Sequence, residues 1–386
     1  MHTLFSGKGK FSMIFSMTLH RLKPQAENII AEERAGFRAG RSTTEQIFNL
    51  RILCEKYFQH QQNLYHVFID FKKAFDRILH AALWATMKKY NISTNFIRVI
   101  KNLYDKATSA VLFNSSIEDW FRKTVGVRQG CLLVPIFFNV FLERIMTDSF
   151  EDHEGTVSIG GRAITNLRFA DDVNSLAGEE ELEKLVERLN KVSTAYSMEI
   201  SAEKTKLMTN NTSGINREIK VNGQKLETVT SIKYLGSVIT DEGSKPEILF
   251  GIAQATAALT RLKPVWNDRS ISVSSKIQLT RSLVTSIFLY ACESWTLTAE
   301  LRRRTQAIEM RCYHKILRIS YKDHVTNENI HSKIQQAIGP HKDLLTIIKR
   351  CKLRWYGHVS RSSGKGEEDK ADRGRSWKTI SGNGRA

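Results

Sequence analysis

The 386-residue chain is 41% hydrophobic, enough for a sizeable core and two or three subdomains, which excludes a wholly disordered protein. Its formal charge of +18, with a pI near 9.7, points to nucleic acid rather than membrane as the polyanionic partner, because the longest apolar run, residues 283–291, is too short to span a bilayer. Five scattered cysteines without a CxxC pair fit a reducing compartment, and no signal-peptide cleavage site follows the apolar patch at 11–18, so the protein is expected inside the cell, in nucleus and cytoplasm.

In chain order, residues 1–20 read as irregular, and the basic turn around Gly36-Phe37-Arg38 and Gly40-Arg41 follows. Residues 43–57 read as a helix through Ile47, Leu50, Ile52 and Leu53, capped by Ser42 or Thr43. Val67 to Ile69 is a buried strand that ends in Asp70 and is expected to run into a helix carrying Phe75, Ile78, Leu79, Ala82 and Leu83 on one stripe. A helix at 92–108 and a short sheet at 111–127 lead to a loop in which Gly126 and Gly130 bracket Arg128 and Gln129. The apolar helix at 136–146 is expected at the centre of the core. Pro135 reads as its first residue, which makes Val134 an N-cap without a side-chain acceptor and predicts that Val134→Ser stabilises. Residues 178–196 form an amphipathic helix, and strands follow at 219–226 and 229–239, the first folding back at Asn222-Gly223. From 247 the period is helical, over 248–262, 274–290 and 299–319, and 361–386 lacks apolar periodicity and is expected to be disordered. A zinc site can be drawn from Cys312, His314, Cys351 and His358, but their spacing does not demand one.

Chemistry concentrates in two places. Leu167 and Phe169 alternate as in a half-buried strand, the adjacent acids Asp171 and Asp172 fall where a hairpin would turn, and Val173 resumes the pattern. Asp70 stands at the end of another strand. Three acids at strand ends are costly unless cations neutralise them, and an oxygen-rich site suits Mg²⁺.

Phe68-Ile-Asp70-Phe-Lys-Lys-Ala-Phe75-Asp76, Gly126-Val-Arg-Gln129-Gly130-Cys and Phe169-Ala-Asp171-Asp172 resemble motifs A, B and C of reverse transcriptases, in particular those of non-LTR (LINE-like) retrotransposons. Gly36-Phe37-Arg38-Ala-Gly40-Arg41, Ile200-Ser-Ala-Glu-Lys204 and Tyr234-Leu235-Gly236 resemble the fingers motif and motifs D and E, in the family's order from about residue 21 to 240. The resemblance implies an α+β right-hand polymerase fold: partial fingers at 1–66, a palm with motifs A to E at 67–240, a helical thumb and C-terminal region at 241–360, and the tail at 361–386. It implies an RNA-directed DNA polymerase in which Asp70, Asp171 and Asp172 hold two Mg²⁺ ions, or Mn²⁺ in their place, with the Phe71 carbonyl as an extra ligand. Lys204 would protonate the leaving pyrophosphate, and Arg38 and Arg41 would face phosphates. Phe75 would exclude a 2′-hydroxyl, Gln129 and Gly130 would lie against template and nucleotide, and Tyr234, Leu235 and Gly236 would grip the primer. The partners implied are an RNA template, a DNA primer or target DNA, dNTPs and a separately supplied endonuclease, since these residues include neither the family's endonuclease nor its full fingers. Val134, where the family usually has Ser, and Ser197, where Gly is common, favour the alternative of an inactive remnant that binds nucleic acid.

Overall fold

The computed structural model describes residues 2–5, 10–105, 108–114, 116–117, 119–127, 131–151, 155, 157–159, 162–209, 218–240 and 243–362. Two compact units emerge: Met1–Gln46 with Gln61–Val229, and Ile47–His60 with the chain from Thr230 onward.

The first unit is built on a five-stranded sheet. Its strands are Tyr65–Ile69 (β1), Asn166–Phe169 (β2), Asp172–Ala177 (β3), Lys206–Thr209 (β4) and Glu227–Val229 (β5), in the spatial order β5-β4-β1-β3-β2. All neighbours are antiparallel except β4 and β5. Every residue of β1 is buried, which is why its sequence is continuously apolar apart from His66. Burial lowers the His66 pKa to about 3, so that imidazole stays neutral, stacked on Phe68.

The apolar helix spans Val134–Phe150, and Phe138, Phe141, Leu142 and Ile145 along it are fully buried. It is central, as expected, but starts earlier. Val134 is already helical, Leu133 precedes it with φ −83° and no side-chain cap, and the Val134 N–H donates to the Cys131 carbonyl at 3.2 Å. Val134 therefore belongs to the core, 7% exposed, and its expected role as N-cap is corrected. The substitution changes sign accordingly: Val134→Ser buries a hydroxyl in place of methyl groups and should lower stability by about 1–3 kcal/mol. A side-by-side thermal melt checks this, and a midpoint at or above the wild-type value would return Val134 to the cap.

Two further expectations change. Residues 10–29, read in part as irregular, form a helix, Lys10–Ile29, that tolerates Pro24 because Leu22, Ala26 and the following Ile30 pack into the main core. The segment after Asp70 does not enter a helix at once. Lys73 is left-handed (φ 48°), Ala74–Asp76 form one 3₁₀ turn, and the α-helix is His80–Lys89. Pairing with residues 124–127 holds the intervening chain extended: Val127 N–H donates to Phe75 O at 2.9 Å, Gly126 N–H to Ile78 O at 2.8 Å and His80 N–H to Thr124 O at 3.1 Å.

The helix read at 43–57 is Thr43–Gln59, and Ser42 Oγ accepts from the Glu45 N–H as its cap. Helix Glu179–Ala195 ends with Ser197 left-handed at φ 63°, the position where Gly is favoured, and a β-carbon there costs about 1–2 kcal/mol. Asn222 and Gly223, both at positive φ, turn the expected hairpin between Lys220–Val221 and Gln224–Lys225.

The single strand expected over 229–239 is divided: Val229 ends β5, and in the second unit Ser231–Tyr234 pairs with Ser237–Thr240 as a hairpin through Leu235 (φ 48°) and Gly236 (φ 88°). Helices follow at Lys245–Arg261, Val273–Thr280, Ala299–Leu317, Asn327–Ile338 and Leu344–Ser362. A π-helical turn, Arg281–Thr285, continues the second of these into Ser286–Phe288. Trp266, Phe288, Trp295, Ile330 and Ile348 fill their core. Arg51 forms a buried ion pair with Glu247, which also accepts from Ser237. Arg361 and Ser362 still belong to the last helix, and the rest of the expected tail lies outside the described residues.

Candidate active site

Register brings the acids together. Ile69 pairs with Val173, so Asp70, next after Ile69, stands beside Asp172, the first residue of β3. Phe169 pairs with Asp172 across the hairpin, and the turn between them is Ala170-Asp171, with Ala170 left-handed at φ 53°. Partial desolvation, then the charge of Asp171 and then that of Asp70, push the Asp172 carboxyl up to about 6, although its side chain still reaches solvent.

Asp70 is braced through its backbone. Its N–H donates to Thr205 Oγ1 at 3.3 Å, its carbonyl accepts from the Ser201 N–H at 2.8 Å, and Phe71, 3% exposed, bridges to Ile200. The carboxylate itself is not satisfied. Its Oδ1 is shielded from solvent and accepts no hydrogen bond among the described residues; the ammonium of Lys204, itself largely exposed, stands 3.6 Å away. A shielded carboxylate oxygen that accepts no hydrogen bond, beside two more acids, offers the kind of oxygen ligands that a hard divalent cation takes. The three carboxylates do not all lie within 4.8 Å of one another.

Beneath the acidic turn lies a charged network that sequence reasoning missed. Arg34 is fully buried; its Nη1 donates to Asn139 Oδ1 at 2.8 Å and to the Ala170 carbonyl at 3.1 Å. Asn139 Nδ2 donates in turn to the Gly36 carbonyl at 2.9 Å. Arg168 Nη1 reaches both Glu143 oxygens at 3.1 Å, and Arg34 Nε lies 3.8 Å from the same carboxylate. The backbone of residues 33–35 runs along Arg168, with Ala35 N–H donating to Arg168 O at 2.9 Å. A β-carbon on Gly36 would collide with the Ala170 nitrogen, so glycine is what lets this segment press against the turn. Desolvation and then Arg168 lower the Arg34 pKa to about 9, opposed by Glu143 and, from the turn itself, Asp171.

The remaining expected site residues sit as follows. Phe75 is half-buried, stacked on Phe138 at 4.3 Å and edge-on to the exposed Phe37 at 6.5 Å, so it joins the core to a solvent-facing ring. Arg38 is engaged by Glu27 at 2.9 Å and by the carbonyls of Ala31 and Arg34, and Arg41 by Glu45, so both guanidiniums have protein partners. Gln129 and Gly130 lie outside the described residues. Just before them, Gly126 (φ 85°) brings its Cα close to the Asp76 backbone. In the second unit, Tyr234 is buried and the Leu235-Gly236 turn is fastened by the Tyr290 hydroxyl, which donates to the Leu235 carbonyl at 2.6 Å.

The family model described as reverse transcriptase (RNA-dependent DNA polymerase) matches residues 9–239. The chain belongs to the reverse transcriptase family. The match begins earlier than residue 21, in keeping with the helix Lys10–Ile29. Reverse transcriptases work with divalent metal ions, which the acid cluster suits. Relatives include a transposon-derived protein of Caenorhabditis elegans, 26% identical over 53% of this chain and 74% of that one. The RNA-directed DNA polymerase from mobile element jockey of Drosophila melanogaster is 21% identical over 69% of this chain. The Pol polyprotein of the R2 retrotransposable element of Nasonia vitripennis is 28% identical over 53% of it. The chain spans 29% and 21% of those last two proteins. Among solved structures, a telomerase from Candida tropicalis bound to a fragment of telomeric RNA aligns with a TM-score of 0.41 at 16% identity, over 96% of this chain and 56% of that one.

Proposed function

We propose that the chain copies RNA into DNA by adding deoxynucleotides to a primer 3′-hydroxyl. The observation that carries this reading is the unsatisfied Asp70 Oδ1 beside the Asp171-Asp172 turn. Asp70, Asp171 and Asp172 would hold two Mg²⁺ ions, or Mn²⁺ in their place, with the Phe71 carbonyl as a further ligand. Such a pair supplies activation of the attacking oxygen and stabilisation of the leaving one. Lys204, whose ammonium stands 3.6 Å from Asp70, would protonate the departing pyrophosphate. Gln129 and Gly130 would contact template and nucleotide, Arg38 and Arg41 phosphates, and Tyr234, Leu235 and Gly236 the primer. Residues 67–240 serve as palm and 241–360 as thumb, whose exposed Arg302, Arg303, Arg304, Arg311 and Lys315 suit a duplex backbone. An RNA template, a DNA primer or target DNA and dNTPs are the partners, and the work is done inside the cell, in nucleus and cytoplasm.

Primer extension on an RNA template with dNTPs tests this. The expected result is DNA synthesis that stops on chelation, and absence of synthesis with Mg²⁺ and with Mn²⁺ by a protein that still binds RNA overturns it. The position of Phe75 adds a sharper expectation. Its ring lies between Phe138 and Phe37, as a wall would that excludes a 2′-hydroxyl, so Phe75→Val should raise ribonucleotide incorporation relative to deoxynucleotide by about tenfold or more, equivalent to about 1.4 kcal/mol of relieved clash. Competitive incorporation assays read this ratio directly, and an unchanged ratio in a folded, active variant reduces Phe75 to packing.

A further inference from the structure

The C-terminal unit holds a second group of metal-ligating side chains, remote in sequence from the acids. Cys292 and Glu293 open a single 3₁₀ turn, Cys292–Ser294, and Cys351 lies in the middle of helix Leu344–Ser362. Their ligand atoms all lie within 4.8 Å of one another, the only such group among the described residues. The quartet drawn from the sequence does not assemble: Cys351 meets Cys292 instead of Cys312 and His314.

We propose that Cys292 Sγ, Cys351 Sγ and the Glu293 carboxylate form a Zn²⁺ site, with the fourth position left to solvent, that fastens the 292–294 turn to the C-terminal helix. Two thiolates and a carboxylate are a donor set for zinc rather than for Mg²⁺ or Ca²⁺. Cys292 is fully buried while Cys351 and Glu293 are partly so, which gives one sheltered and one open side, the arrangement of three protein ligands plus water. The charges balance as well. Two thiolates and a carboxylate leave one net negative charge around Zn²⁺, and Lys352, next to Cys351, brings its cation close to Cys292 while its ammonium donates to the Trp295 carbonyl. Without metal, burial and the neighbouring Glu293 and Cys351 push the Cys292 thiol far up, so zinc binding must displace its proton, and uptake releases acid.

The experiment uses the full chain prepared under reducing conditions, with metal content by atomic emission and Co²⁺ as spectroscopic probe. Expected are one zinc per chain, sulfur-to-cobalt charge-transfer absorption of two thiolates, and at least tenfold weaker binding in Cys351→Ser and in Glu293→Gln, with Cys312→Ser unaffected. Equal loss in Cys312→Ser overturns the ligand assignment. A reduced chain that takes up neither zinc nor cobalt overturns the site, as does a Cys292–Cys351 disulfide whose reduction restores no binding. Should Cys351→Ser fail to fold, the thiolate charge-transfer intensity of the unmodified chain decides alone, since a site without sulfur gives none.

Discussion

Asp171→Asn is expected to remove primer extension, by about a thousandfold or more, the equivalent of roughly 4 kcal/mol in the barrier, while affinity for an RNA–DNA duplex stays within about twofold. Asparagine keeps the shape of the turn and its backbone hydrogen bonds but removes the charge that a divalent cation requires. Asp70→Asn should do the same, for a related reason: among the described residues its Oδ1 accepts no hydrogen bond, and the one ion pair lost, to the largely exposed Lys204 at 3.6 Å, contributes little to the fold, so the substitution chiefly removes the anion. Nucleic-acid affinity survives because it is distributed over a chain of net charge +18 rather than held by the acids. Removing two carboxylates' worth of repulsion from the turn should even raise the melting temperature of the metal-free double variant, since Asp172 is pushed up by both neighbours. Extension by either single variant at near the unmodified rate sinks the metal assignment; loss of duplex binding in step with activity shows a fold defect instead.

The acids were legible in the sequence because their signals are local. Alternation through Leu167 and Phe169 fixes a strand, the adjacent acids interrupt it, and antiparallel pairing does the rest. Asn222-Gly223 was legible for the same reason. Leu235 was not: a leucine at φ 48° announces no turn, and the hairpin exists because Gly236 follows it and the Tyr290 hydroxyl takes its carbonyl. The helix Lys10–Ile29 was hidden by Pro24, whose cost is met by packing that only the tertiary structure reveals. Val134 was misplaced by one residue, enough to turn a presumed cap into core. Least legible of all were Arg34, Glu143 and Arg168. Each reads alone as a surface charge, and only the closeness of Gly36 to Ala170 buries the three together.

That burial makes Glu143 the residue whose loss should be felt most by the fold. Glu143→Ala strips the carboxylate that faces both Arg168 and Arg34, leaving two guanidiniums inside the core with only Glu33, 3.9 Å from Arg168, and the charge of Asp171 on Arg34 to offset them among the described residues. Breaking a buried pair from one side typically costs about 3–5 kcal/mol, because the remaining charge keeps its desolvation penalty and loses its compensation. Glu143→Gln, which retains an acceptor for Arg168, should fall between Glu143→Ala and the unmodified chain. Replacing the whole triad with apolar residues, as in Arg34→Met, Glu143→Leu and Arg168→Met combined, should recover much of the stability. It should not recover synthesis. The Ala170 carbonyl would then have lost the Arg34 bond at 3.1 Å that holds the residue before Asp171, and the acidic turn would be free to drift. Thermal melts and primer extension on the same four proteins separate the two roles. If Glu143→Ala melts within a degree of the unmodified chain, the network is not buried as described; if the apolar triple variant is both stable and fully active, Arg34 positions nothing.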